Sequence, residues 1–143
     1  MSYEYSEDLL IEQATQDSLE ELGWKVVTAW KNESYGIDGL LGRDNKSEVI
    51  LSRYLFEALE RLNPDLPTIA YEQAVELISQ KVADQTLSRI NQEKYDLLKN
   101  GVPVSFTNDK GELVKKKLKV FNFNEYTDNH FLAVRQLEVV GDL

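Results

Sequence analysis

Hydrophobic positions recur at two different periods along this chain, and the change of period divides the chain into two parts. Between residues 6 and 98 the apolar side chains return every three or four positions, which is typical of amphipathic helices. An exception is the short apolar run from Trp24 to Trp30, which indicates a strand. From residue 102 onward, apolar and polar side chains alternate, which is typical of strands with one buried face. The pattern predicts an α+β (mixed α/β) domain in which N-terminal helices precede a β-meander.

The bounds of the predicted elements follow from the residues that interrupt each period. Helices are expected over residues 6–22, 47–62, 68–82 and 86–98, and strands over residues 24–30, 102–106, 113–123 and 131–140. Ser6 is a suitable N-cap for the first helix and Gly23 a suitable C-cap. The buried face of that helix is expected to consist of Leu9, Leu10, Ala14, Leu19 and Leu22. Residues 31–45 are polar and punctuated by glycine, which predicts a loop.

The last predicted strand, residues 131–140, is strongly apolar and lies just before the final residue, Leu143. An apolar strand of this kind belongs in the interior of a sheet, so another strand should pair beside it. No later segment offers such a strand, and we expect an unpaired hydrophobic edge that favours dimers or aggregates. We therefore interpret the chain as the first part of a larger protein.

Composition and charge narrow the classes of protein to which the chain can belong. Its 143 residues suffice for one domain with a hydrophobic core. Because there is no cysteine, disulfide scaffolds and thiolate metal sites are excluded, and a cytoplasmic location is favoured. We expect neither a membrane span nor a secretory signal, since no apolar run is long enough and the first residues are acidic. The net charge of -9 argues against a free-standing DNA-binding domain, which is usually basic.

Most catalytic schemes lack the residues that they need. A serine triad would depend on His130, the single histidine, but the chain has no Gly-x-Ser-x-Gly elbow, and we interpret His130 as a loop residue. Glycine-rich phosphate-binding loops are absent as well. A magnesium nuclease of the compact type needs an aspartate followed by Glu-x-Lys, and no glutamate here has a lysine two positions later. Pro64 and Asp65 are accordingly interpreted as a helix stop.

A single basic run, Lys115-Lys116-Lys117-Leu118-Lys119, stands out in this acidic chain. In a strand, Lys115, Lys117 and Lys119 would face the same side and form a surface for DNA phosphates. The alternative is a solvated face that protects a sheet edge, which is the commoner role of lysine-rich strands. Both interpretations are open at this point.

Short segments spread over nearly the whole chain stand in a distinctive order and spacing. They are Ser6-Glu7-Asp8, Glu12-Gln13-Ala14, Leu22-Gly23-Trp24, Arg43 with Glu48-Val49-Ile50-Leu51, residues 55–59, Arg61-Leu62-Asn63-Pro64, Ala74, Asn91 with Tyr95, Leu98-Lys99-Asn100-Gly101-Val102 and Asp128-Asn129-His130-Phe131-Leu132-Ala133-Val134-Arg135-Gln136-Leu137. In this order they resemble the N-terminal region of the restriction (R) subunit of type I restriction-modification enzymes.

This resemblance implies a function for a larger protein. Residues 1–143 would form the N-terminal part of the nuclease domain of the R subunit, resembling an incomplete PD-(D/E)xK restriction-endonuclease-like domain. The complete subunit would be an ATP-dependent DNA endonuclease and translocase that cleaves foreign DNA and uses Mg²⁺ and ATP. Its partners would be double-stranded DNA and the modification and specificity subunits. The main catalytic residues are expected beyond Leu143, so this chain alone should be inactive and bind neither cofactor.

Two acidic residues bear on the implied nuclease site. Nucleases of this fold commonly carry an acidic residue on the first core helix near the metal, and Glu12 is the matching position. The alternative for Glu12 is an exposed helix glutamate without a catalytic role. Asp142 follows Gly141 rather than a basic-Pro pair, and we interpret it as a turn residue.

A second function class is a small acidic protein-interaction module or a DNA-mimic inhibitor. A mimic needs carboxylates along one exposed face, whereas the acids here alternate with lysines and arginines in ordinary helix patterns. In a titration, a mimic should inhibit a type I enzyme, whereas a part of such an enzyme should not.

Overall fold

The computed structural model describes residues 7–30, 32–80 and 85–141. The helices are α1 (Glu7–Glu21), α2 (Ser52–Leu62), α3 (Thr68–Ser79) and α4 (Leu87–Asn100), and the strands are β1 (Lys25–Thr28), β2 (Val102–Thr107), β3 (Leu113–Leu118) and β4 (Leu132–Arg135). The predicted α+β class is confirmed. The predicted N-cap Ser6, the predicted helix end at Val82 and the predicted turn residue Asp142 lie outside the described residues.

Strand β4 pairs in parallel with β1, and this arrangement corrects the predicted meander. The register joins Lys25 to Leu132 and Thr28 to Arg135, and the rings of Trp24 and Phe131 lie 5.1 Å apart just before the two strands. The expectation that no strand pairs beside this segment was therefore wrong. Within the described residues this sheet has two strands, and the predicted self-association through its other edge stays a prediction.

Strands β2 and β3 form the predicted antiparallel hairpin, although β3 ends at Leu118 rather than at residue 123. Amide side chains from α3 and from the C-cap of α2 form hydrogen bonds with backbone groups at the edge of β2 and just after β3. Gln73 of α3 both donates to the carbonyl of Ser105 and accepts its N–H, at 2.7 and 3.0 Å. Asn63 does the same to the backbone of Lys119, at 2.9 and 2.8 Å. These bonds satisfy edge groups that would otherwise pair with another strand.

Two hydrophobic clusters stabilise the described structure. The larger cluster joins α2 and α3 to the inner face of the hairpin and contains Leu59, Ala70, Tyr71, Ala74, Ile78, Val102, Val104, Phe106, Leu118 and Val120. The smaller cluster consists of Val27, Ala29 and Leu41, with Leu132 and Val134 of β4 packed against it. Buried and exposed side chains alternate along β2. Its even-numbered side chains are buried and form the inner face of the hairpin, and its odd-numbered side chains are exposed.

Helix α1 packs on the sheet with a different face from the one predicted. Leu9, Leu10 and Leu22 are exposed, and of the five predicted residues Leu19 alone is partly buried. Glu12 and Gln16 share the partly buried face with Leu19 at helical spacing. Among the described helices, none is long and apolar enough to span a membrane.

A buried arginine organises the loop between β1 and α2. Arg43 is 1% exposed, and its guanidinium donates two hydrogen bonds of 2.6 Å to the carboxylate of Glu33. It also donates to the carbonyls of Lys46, Glu48 and Glu138. The hydrogen bond with Glu33 raises the pKa of Arg43.

The same loop explains why α2 begins at Ser52 rather than at the predicted residue 47. Arg43 occupies two carbonyls of this stretch, the side chain of Glu48 accepts the N–H of Asp44, and the side chain of Asn45 accepts the N–H of Ser47. A helix that began at residue 47 would need the carbonyls of Lys46 and Glu48 as acceptors, and the side-chain bonds to Asp44 and Ser47 hold the preceding backbone in turns.

Candidate functional site

Glu12 lies on α1 beside the end of β4, where four polar side chains meet. Arg135, the last residue of β4, donates from Nη2 to Oε2 of Glu12 at 2.9 Å. Its Nη1 donates to Oε1 of Gln16, one turn further along α1. Gln136 donates from Nε2 to the same Glu12 oxygen at 3.3 Å. We call Glu12, Gln16, Arg135 and Gln136 the α1–β4 polar cluster.

The chain path around β4 positions this cluster. The carbonyl of Arg135 accepts the N–H of Ala29, so the pairing with β1 extends to the end of the strand. The next residue, Gln136, has a φ of 54°, a left-handed conformation that non-glycine residues rarely adopt. The strand therefore ends abruptly at Arg135, and the polar side chains of both residues lie against α1.

The α1–β4 polar cluster is partly open to solvent. The side chains of Arg135 and Glu12 are 20% and 43% exposed, so solvent screens their ion pair and it adds little to stability. The cluster joins a cationic guanidinium to an anionic carboxylate at the end of a strand. Such a pair can orient Arg135 for an anionic ligand or hold the strand end in place.

The described residues do not form a complete magnesium site. Mg²⁺ takes close to octahedral oxygen coordination and is usually held by one or two carboxylates together with water or substrate oxygens. Within residues 7–30, 32–80 and 85–141, no group of three or more His, Cys, Asp or Glu side chains is arranged to hold a metal ion. Glu12 is a single carboxylate already bound to Arg135.

The lysine run lies on the β2–β3 hairpin, whereas Glu12 lies on α1 beside the end of β4 in the other sheet. Lys115 and Lys117 are exposed on one face of β3, opposite Ser105 and Pro103 of β2. Lys119 follows the strand and is also exposed. An open cavity of about 470 Å³ beside Lys115 and Lys117 includes Gln73. The structure thus keeps the three predicted lysines on the surface but does not bring them into contact with Glu12.

Arg135 as the partner of Glu12 was not predicted from the sequence. The available signal was a cationic residue in the middle of the apolar segment 131–140, which indicates a side chain that leaves the core. His130 lies just before β4, and its ring centroid is 5.7 Å from that of Tyr54. Its placement in a loop agrees with the prediction.

Comparisons with known proteins agree with the resemblance. The chain matches the family model described as type I restriction enzyme R protein N terminus over residues 4–142. The type I restriction enzyme HindI endonuclease subunit of Haemophilus influenzae is 34% identical over 134 residues, which cover 90% of this chain. The chain spans 12% of the length of that curated relative. No solved structure gives a significant match.

Proposed function

This chain belongs to the type I restriction enzyme R protein N-terminal family, and on that premise we propose that it forms the N-terminal part of the DNA-cleaving subunit of a type I restriction-modification system. The observation that carries the proposal is the family match over residues 4–142 together with 34% identity to an endonuclease subunit. The complete subunit would cleave foreign double-stranded DNA in an ATP-dependent reaction. We expect it to work in the cytoplasm, where incoming DNA is met.

The proposed cofactors and partners belong to the complete subunit. They are Mg²⁺ and ATP as cofactors, and double-stranded DNA and the modification and specificity subunits as partners. Mg²⁺ supplies charge stabilisation and an activated water in nucleases of this kind when it is bound. In this proposal the described residues contribute the fold around such a site. The net charge of -9 is compatible with this, because most of the DNA affinity would come from other parts of the complex.

We further propose that β1, β4 and α1 form the first layer of a PD-(D/E)xK-type nuclease domain. The parallel pairing of β1 with β4 supports this proposal, because it builds a sheet against which α1 packs. The carboxylate of Glu12 lies at the end of that sheet, held by Arg135 and Gln136. Its proposed role is to keep Arg135 and the end of β4 in position beside the DNA-cleavage site.

Replacing Glu12 with glutamine in the complete subunit is expected to reduce cleavage of unmodified duplex DNA by about tenfold or more, which corresponds to about 1.4 kcal/mol. A neutral amide binds a guanidinium less strongly than a carboxylate does, so Arg135 loses its anchor. The measurement is cleavage by the subunit assembled with its modification and specificity partners in the presence of Mg²⁺ and ATP.

The matched control for this test is Glu21→Gln, which removes an exposed carboxylate from the same helix. Neither variant should change the free energy of unfolding by more than about 1 kcal/mol, since both carboxylates are solvent-accessible. Unchanged cleavage by Glu12→Gln would contradict the role of Glu12. A complex that cleaves no unmodified DNA even with the natural sequence would contradict the proposed function.

We propose that Lys115, Lys117 and Lys119 contact DNA phosphates in the assembled complex. Each contact releases counterions, so replacing all three with alanine should flatten the slope of log affinity against log salt by up to about 2.7 for duplex DNA. The measurement is a salt titration of DNA binding, with Lys110→Ala at the tip of the hairpin as the control. An unchanged slope in the triple variant would show that these lysines only protect the surface of the sheet.

A further inference from the structure

We propose that the surface formed by Tyr95, Lys99, Phe121 and Phe123 binds the unpaired bases of single-stranded DNA. This inference rests on the proposed function in one respect, because that function makes DNA the partner. It adds a second DNA form, and it adds contact residues beside the lysine row of β3. We call these four residues the aromatic–lysine surface.

Three aromatic rings of this surface are exposed although they lie close together. Tyr95 of α4 is 55% exposed, and Phe123 of the segment after β3 is 71% exposed. The centroids of Phe121 and Phe123 are 6.1 Å apart at an angle of 57°. Their rings, together with that of Tyr95, line an open cavity of about 540 Å³. Exposed aromatic rings grouped in this way mark a binding surface rather than a core.

Hydrogen bonds hold the segment that carries the two phenylalanines in a defined shape. The side chain of Asn129 accepts the N–H of Asn122 at 2.7 Å and donates to its carbonyl at 2.9 Å. The side chain of Asn122 in turn accepts the N–H groups of Asn124 and Glu125 and donates to Asp128. The exposed rings are therefore pre-organised, which lowers the entropy lost when a ligand binds to them.

The charged side chains beside these rings are lysines. Lys99 lies with its Nζ 5.7 Å from the ring centroid of Tyr95. A neighbouring cavity of about 280 Å³ shares Lys99, Phe121 and Phe123 and adds Lys117 and Lys119. In the part of the chain that the structure describes, no Asp or Glu lines either cavity. The local charge is positive in a protein whose net charge is -9.

This combination of chemistry favours single-stranded DNA over other ligands. Surfaces that bind single strands combine a positive groove for the backbone with aromatic rings on which successive bases stack. The bases of an intact duplex are stacked on each other and cannot reach such rings. Lys117 and Lys119 connect this surface to the lysine row of β3, so one strand could follow both.

Fluorescence anisotropy with a labelled oligothymidylate tests the proposal on this chain. Phe123→Ala should weaken binding about 5- to 150-fold, the usual loss for one stacking partner. Phe123→Trp should retain the affinity, because a larger ring still stacks. Tyr126→Ala is the matched control, since Tyr126 is also 71% exposed but lines neither cavity, and it should leave binding unchanged.

Several results would overturn the proposal. The first is equal binding by the natural chain and Phe123→Ala, and the second is no preference for the oligothymidylate over a duplex. The third is a Phe123→Ala variant that changes its sedimentation but still binds the oligothymidylate, which would identify a protein contact. Denaturation curves confirm that each variant folds. Duplex cleavage by the complete subunit carrying Phe123→Ala separates the two proposals, because cleavage tests the function and oligothymidylate binding tests this surface.

Discussion

Replacing Arg43 with alanine is expected to lower the free energy of unfolding by about 3–5 kcal/mol, the usual loss when one partner of a buried ion pair is removed. The side chains of Arg43 and Glu33 are 0% and 6% exposed, so the substitution leaves a carboxylate without its cation and largely without water. It also removes the donor to the carbonyls of Glu48 and Glu138. The loop before α2 and the segment after β4 would lose their shared contact.

Lysine at the same position should not restore the stability. The two bonds of 2.6 Å to Glu33 need the planar fork of a guanidinium, and a single ammonium cannot supply both bonds along with those to the carbonyls. We therefore expect Arg43→Lys to lose most of what Arg43→Ala loses. Urea denaturation, followed by circular dichroism, measures the difference.

The exposed ion pair between Arg89 and Glu93 provides a matched control for Arg43. These side chains are 70% and 48% exposed and lie four positions apart on α4. Arg89→Ala should cost only about 0.5 kcal/mol, as is usual for such helix pairs. A loss below about 1 kcal/mol for Arg43→Ala would show that Arg43 does not hold the loop.

Truncating Leu59 to alanine should cost about 2–5 kcal/mol, the range for fully buried leucines. Leu59 is 0% exposed on α2 and belongs to the cluster that joins α2 and α3 to the hairpin. Removing its methyl groups leaves a cavity that close-packed neighbours can fill only in part. The midpoint of urea denaturation should fall, with the slope of the transition unchanged.

Leu113→Ala is the control for Leu59→Ala, because Leu113 is 66% exposed on β3 and its truncation should change stability by less than about 0.5 kcal/mol. Tryptophan fluorescence adds a second probe, since Trp24 directly precedes β1, the strand that contributes Val27 to the smaller cluster. Coincident transitions from fluorescence and circular dichroism would show that both clusters unfold together. Equal losses from the two leucine variants would contradict the assignment of Leu59 to the core.

Elements with strong local signals were predicted well. Helix α1 ends at Glu21, two residues before Gly23, whose φ of 91° is a left-handed conformation suited to glycine. Helix α4 is capped by the hydroxyl of Thr86, which accepts the N–H of Arg89, and it ends at Asn100, two residues beyond the predicted end. The hairpin of β2 and β3 follows from alternation within a short segment. In each case the deciding contacts lie within a few residues of each other.

The candidate site was predictable only in part. The resemblance singles out Glu12, but the partner of Glu12 is Arg135, 123 positions later in the chain. The helix face that packs on the sheet carries Glu12 and Gln16, whereas periodicity alone selected Leu9, Leu10 and Leu22. Amphipathic spacing identifies an apolar side of a helix but not the surface against which the helix packs.

The sequence by itself determined the positions of the helices apart from the start of α2, the hairpin, the α+β class and, through its resemblance, the family to which the chain belongs. Tertiary structure alone decided that β4 pairs with β1, that Arg43 joins Glu33 to Glu138, and that the aromatic–lysine surface is exposed. The physical reason is the distance along the chain. Caps and turns are set by neighbours within about four residues, whereas Arg43 and Glu138 are 95 positions apart and meet only when the whole chain has folded.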